Sequence, residues 1–172
     1  RRPKTKFLII GPVDDEKPDA FRPEHARDYG VADACIFTGM RYDLPELYVQ
    51  MDVFALPSHR EGFPRSPMEA SAMSVPCVVT NVRGCREAVA SGHNGLLVPL
   101  GNVEELANAI LTLLKNDALR LQMGAAARAM ALEKFDEQLV FKTVKDEYAR
   151  LLKSCGMTVP EPRFSSAETA AG

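Results

Sequence analysis

A chain of 172 residues that is 46% hydrophobic and 26% charged has enough apolar material to bury one sizeable core, which argues against general disorder and for one globular domain. Its net charge of −2 carries no basic excess, so nucleic acid has no electrostatic claim as a partner. No apolar run approaches the roughly 20 residues that cross a bilayer, and the charged start is unlike a signal peptide, so a cytoplasmic protein without a transmembrane segment is expected.

Arg1, Arg2, Lys4 and Lys6 open the chain as a basic run that reads as a solvated edge. Phe7–Ile10 follows, and further short apolar runs stand at Cys35–Phe37, Val53–Leu56, Cys77–Val79 and Leu96–Val98. Being apolar without alternation, they suit strands buried on both faces, the habit of a parallel sheet covered by helices. Helix-like segments separate them. The resulting β-α-β-α order predicts a doubly wound, Rossmann-like α/β fold. Gly11-Pro12 is too little to serve as a GxGxxG phosphate loop, so either phosphate binds elsewhere or an earlier strand-loop-helix unit is missing.

The helices carry their own punctuation. Asp43 is expected to cap a short helix over Leu44–Met51, and Ser66-Pro67-Met68-Glu69 reads as a capping box with proline at the first helical position. Gly84–Ala90 reads as a helix that stops at Ser91-Gly92, and Asn94-Gly95 as a turn. Asn102 opens a stronger helix, with Val103, Leu106, Ala107, Ile110, Leu111 and Leu114 on one face. Asp117 and Asp136 are expected to cap two more, the second running to Lys153 with Phe141, Val144, Tyr148, Leu151 and Leu152 as its apolar stripe. One domain is therefore placed at residues 1–153. Residues 154–172, where Pro, Ser, Thr, Ala and Gly take over, are expected to be a disordered tail.

Cys35, Cys77, Cys85 and Cys155 include no CxxC pair, and His25, His59 and His93 lack helical metal spacing. Neither a metal site nor a disulfide framework is indicated. Cys35 and Cys77 lie inside apolar runs and read as core.

The informative stretch runs from Pro57 to Ala70, out of a buried strand and into a helix. In an open α/β sheet, ligands bind beyond the carboxyl ends of the strands, where such loops lie. A helix start there offers unpaired amides and the positive end of the dipole, suited to a diphosphate. Arg60 and Arg65 could add charge-assisted hydrogen bonds to phosphate oxygens, and Glu61 and Glu69 are acceptors suited to sugar and ribose hydroxyls.

Glu61 and Glu69 stand as in the E-x7-E motif, although Glu16 and Glu24 have the same spacing and spacing alone decides nothing. Context supplies the weight: Phe37-Thr38-Gly39, Leu44-Pro45-Glu46-Leu47-Tyr48, Asp52 to Ser58, Glu61-Gly62-Phe63, Glu69-Ala70, Val75-Pro76 and Asn94 to Pro99 occur in one order. In that combination the chain resembles the C-terminal, donor-binding domain of the retaining GT-B glycosyltransferases of family four, the group 1 transferases, from Lys6 to Leu152.

The resemblance implies that Glu61 is the catalytic contact to the transferred sugar, with the amides of Gly62 and Phe63 approaching sugar and diphosphate. It implies that Glu69 holds the ribose and that Met40 and Arg41 lie near the base. Ser58, Arg60 and Arg65 complete the expected donor-binding set. The donor is expected to be a nucleotide-sugar, UDP-linked, and the acceptor a glycan or lipid-linked glycan. No metal or other cofactor is implied, because basic side chains and helix-terminal amides can carry the phosphate charge. The family's acceptor domain and its phosphate-binding Arg and Lys have no counterpart in these residues, so the chain is expected to be part of a longer enzyme, inactive by itself. That enzyme would be cytoplasmic, at the inner face of the membrane if peripherally associated.

Pro64 departs from the family's EGFG pattern and removes an amide donor, which Arg65 is placed to replace. Arg83-Gly84-Cys85-Arg86-Glu87 together with the Glu61–Arg65 sequence resembles the branch that assembles bacterial capsular and exopolysaccharide sugars. Arg83 and Arg86 either reach the phosphates or acceptor or make surface ion pairs. Glu69 has a purely structural alternative as the capping-box acid. The rival functions are the sugar-nucleotide epimerases and the glycogen-type phosphorylases and synthases, which share the GT-B architecture, and a non-catalytic nucleotide-binding fragment.

Overall fold

A computed structural model describes residues 5–13, 16 and 20–158. Arg1, Arg2 and Lys4 of the basic run, and the expected tail from residue 159 onward, lie outside the described residues. The chain divides into two compact units, Arg1–Gln50 and Met51–Gly172.

In the first unit, β1 (Phe7–Ile10) and β2 (Cys35–Gly39) pair in parallel, Phe7 opposite Cys35. Between them α1 (Pro23–Asp28) begins with proline where a missing N–H costs nothing, and Phe21 stacks on Phe37 at 5.8 Å. Gly39 takes a positive φ of 66° as the strand ends, and its carbonyl accepts from the Gly11 N–H at 3.0 Å. α2 (Leu44–Tyr48) is shorter than expected, and Asp43 does not cap it. Its carboxylate is engaged by Arg41, whose Nε donates at 2.7 Å to Oδ1 while Nη2 meets Oδ2, and this pairing holds the Asp43 carboxyl below its ordinary range.

In the second unit, β3 (Phe54–Leu56), β4 (Cys77–Thr80) and β5 (Gly95–Val98) form a parallel sheet with β4 in the centre. All of β4 is buried, as expected of a strand covered on both faces. β1, β2 and β3 each leave a position exposed at Phe7, Ile36 and Ala55, so that expectation holds for the central strand and fails for these. Of the two cysteines read as core, Cys77 is fully buried and its thiol is pushed up to about 12 by burial, whereas Cys35 is half-buried.

The helices of this unit are α3 (Arg65–Ala72), α4 (Arg83–Ala88), α5 (Val103–Lys115), α6 (Asp117–Lys134) and α7 (Glu137–Ser154). The Asn102 carboxamide accepts from the Glu105 N–H at 3.0 Å and Asp136 from the Gln138 N–H at 2.9 Å, so both cap as expected. Asp117 does not. Asn116 caps α6 by accepting from the Leu119 N–H at 3.0 Å, and Asp117 pairs with Arg120. Val78, Val98, Leu113 and Met123 form the core, with Leu106, Ile110 and Leu119 packed on it. Asn94 is buried and closes the loop after α4: its Oδ1 accepts from the Ala90 N–H at 2.7 Å and its Nδ2 donates to the Ala88 carbonyl at 3.1 Å.

α3 is anchored at its far end. Ser74, at φ 62°, closes a Schellman-type stop in which the Val75 N–H bonds the Ala70 carbonyl at 2.9 Å and the Ser74 N–H the Ser71 carbonyl at 3.0 Å. α6 presses on that stop: a Cβ on Gly124 would sit 2.3 Å from the Ser74 oxygen, and the Arg128 guanidinium donates to the Ala72 carbonyl. With its C-terminus held, the start of α3 is placed by the body of the unit.

Candidate functional site

Two loops leave the carboxyl ends of adjacent parallel strands: Pro57–Pro64 after β3, and Asn81-Val82 after β4. The Thr80 hydroxyl, at the end of β4, donates to the Ser58 carbonyl and ties the two together. Between them opens a cleft of about 640 Å³ lined by Arg60, Glu61, Gly62, Phe63, Arg83 and Glu87.

α3 begins at the rim of this cleft. Pro64 stands at its N-cap in extended conformation, and no side chain caps the first turn. Pro64 and Pro67 have no N–H, so the outward amides of this turn are those of Arg65 and Ser66. The capping box expected at Ser66 is not formed, because the helix starts earlier and Ser66 is its second residue. Glu69 therefore is not a capping acid. It lies one turn beyond Arg65, whose Nε is 3.7 Å from its Oε1. Arg65 itself is largely exposed, with a side-chain exposure of 88%.

Phe63 is half-exposed and meets Phe135 edge-on, ring centres 5.9 Å apart, so the end of α6 supports the loop. Beneath Glu61 lies the first turn of α4. Cys85 there is buried: burial pushes its thiol up, the Glu61 charge adds to the rise, and a hydrogen bond with Thr80 opposes it. Arg86 turns back to the β4 loop, donating from Nη1 to the Asn81 carbonyl at 3.2 Å and to its Oδ1 at 3.0 Å. Arg83 lines the cleft.

The family described as Glycosyl transferases group 1 matches residues 1–130. The chain belongs to the group 1 glycosyl transferases. It is similar to the N,N'-diacetylbacillosaminyl-diphospho-undecaprenol alpha-1,3-N-acetylgalactosaminyltransferase of Campylobacter jejuni, 33% identical over 151 residues that make up 88% of this chain and 39% of that one. It is also similar to the capsular polysaccharide biosynthesis glycosyltransferase CapM of Staphylococcus aureus, 35% identical over 62% of this chain and 28% of the other. Among solved structures, Anabaena HepE in complex with UDP superposes with a TM-score of 0.77 at 28% identity, covering 88% of this chain and 42% of that one. The chain thus spans well under half the length of the relatives it matches. Its parallel strands and flanking helices are the Rossmann-like C-terminal half of a GT-B fold, as the motifs implied.

Within this group 1 chain, the structure brings Arg60, Glu61, Gly62 and Phe63 to one cleft, fixes Ser58 by its carbonyl, and sets Arg65 and Glu69 on the first turns of α3. Met40 and Arg41 lie in the other unit, on the loop after β2, with Arg41 occupied by Asp43. Sequence reasoning passed over Glu87, Phe135 and the packing role of Gly84. Glu87 had a signal, since it follows Arg83 by one helical turn and shares its face. Phe135 had none.

Proposed function

We propose that this chain is the donor half of a retaining glycosyltransferase, binding a UDP-linked sugar whose hexose is passed to a glycan or lipid-linked acceptor in polysaccharide assembly. The carrying observation is Glu61 at the cleft beside an uncapped helix start, which sets an acceptor for sugar hydroxyls next to amides suited to a diphosphate. The amides of Gly62, Phe63, Arg65 and Ser66 and the guanidinium groups of Arg60 and Arg65 carry the phosphate charge. Glu69 takes the ribose. HepE has been solved with UDP-glucose as well as UDP, and the Campylobacter relative is named for a diphospho-undecaprenol acceptor, both consistent with this reading.

In the reaction, the bond from the anomeric carbon to the diphosphate breaks and the acceptor oxygen bonds that carbon on the same face. The acceptor proton passes to the departing phosphate oxygen, so configuration is retained without a protein nucleophile. A lipid-linked acceptor would place the enzyme at the inner face of the membrane; among the described residues no helix is long and apolar enough to cross one. The acceptor wall belongs to the part of such enzymes that these residues do not span.

Calorimetric titration of the complete polypeptide with UDP tests the donor assignment, and absence of binding would refute it. Arg65→Lys keeps the charge but loses the planar fork, so UDP affinity should fall about tenfold while uridine affinity barely changes. Equal loss for both ligands would remove Arg65 from the phosphate site.

A further inference from the structure

Three glycines of the second unit sit where no side chain fits. A Cβ would lie 2.3 Å from the Cys77 oxygen at Gly95, 2.3 Å from the Ser74 oxygen at Gly124, and 2.4 Å from the Gly62 oxygen at Gly84. The first two seal strand and helix packing away from the cleft lining. Gly84 differs, because its Cβ would also lie 2.5 Å from the Glu61 oxygen, and both atoms belong to the backbone of the loop that carries Glu61 into the cleft. Gly84 has no positive φ, so space rather than conformation demands glycine there.

We infer that Gly84 is a positioning residue for Glu61: lacking a side chain, it lets the first turn of α4 bear directly on the Glu61–Gly62 peptide and so sets where the carboxylate stands in the cleft. The floor has little room to yield. Cys85 and Ala88 of α4 are fully buried, and Arg86 is fastened to Asn81. The loop above is tied to the end of β4 through Ser58, but its tip is exposed at Gly62 and Phe63. A methyl group at residue 84 therefore displaces the loop rather than the helix, and Glu61 moves with it. The same close approach puts Arg83 and Glu87, which flank this turn, on the opposite wall of the cleft.

The inference rests on the proposed role of Glu61, and the experiment separates the two. In the complete polypeptide, Gly84→Ala should lower kcat at saturating donor about a hundredfold, the scale of a 1 Å misplacement, with a smaller loss of UDP affinity because the Gly62 and Phe63 amides shift with the loop. Gly95→Ala meets backbone just as closely, at the start of β5 and away from the cleft loops, and should lower the melting temperature while leaving kcat nearly unchanged. If Gly84→Ala does not fold, Cys85→Val, which adds bulk at the next residue of the same floor, should lower kcat about tenfold in a cooperatively melting protein. An unchanged kcat in whichever of these two folds, or an equal loss in Gly95→Ala, overturns the inference. If Glu61→Ala itself leaves kcat unchanged, the assigned role of Glu61 fails and this inference with it.

Discussion

Replacing Glu61 with alanine is expected to cut turnover by about 10²- to 10³-fold while leaving UDP affinity within about twofold, the signature of a group that meets the transferred sugar rather than the nucleotide. The geometry favours the split. Glu61 faces the cleft from a loop braced by α4 below and by the Phe63–Phe135 pair beside it, while Glu69 lies along α3 beyond its uncapped first turn. Glu69→Ala should accordingly show the reverse: UDP affinity down about tenfold, the scale of one hydrogen bond to a charged group, with kcat at saturating donor little affected. Losing the Arg65 pair cannot produce that effect, because it spans 3.7 Å between a largely exposed guanidinium and a partly exposed carboxylate. Calorimetry with UDP and initial rates at saturating donor check both variants. Unchanged UDP affinity in Glu69→Ala would remove that residue from the nucleotide site.

The strands were legible because short apolar runs bounded by turn residues have few other uses; Phe7–Ile10 was read at its observed bounds and the others to within a residue or two. Helix starts were less legible where two adjacent residues compete for one role. Asn116 and Asp117 are equally good caps by type, and only the Asp117–Arg120 pairing shows why the asparagine caps. Asp43 lost its cap to an arginine two residues away, and Ser66 was drawn into the helix because the chain straightens at Pro64 instead. At the cleft, the loop residues could be picked out because they are consecutive. Gly84 under Glu61, and Phe135 beside Phe63, depend on packing between segments remote in sequence, which no local pattern encodes.

The 172-residue chain alone is expected to give no sugar transfer above spontaneous donor hydrolysis. Holding two reactants together can supply roughly 7 to 11 kcal/mol of barrier reduction, and on the proposed reading only the donor wall is present in these residues. The relatives extend well beyond the matched region, which makes up 39% and 42% of their own length in two cases. α7 is held by little of its own packing. Leu139, Val140, Phe141, Val144, Tyr148 and Leu151 are each 45% exposed or more, and no residue of the helix is buried. Burying one such side chain stabilises by about 1.5–3 kcal/mol, and α7 forgoes most of that. Its other supports include the Asp136 cap and the solvent-exposed pairs of Lys142 with Asp146 at 2.8 Å and of Arg150 with Glu147 at 2.6 Å, and such exposed pairs contribute little. Hydrogen exchange on the isolated chain should therefore show α7 exchanging early and β4 last, and the complete enzyme should protect α7. Steady transfer by the isolated chain to an added lipid-linked acceptor would sink the half-enzyme reading, and α7 amides as slow as those of β4 would show that the helix is stable without a covering domain.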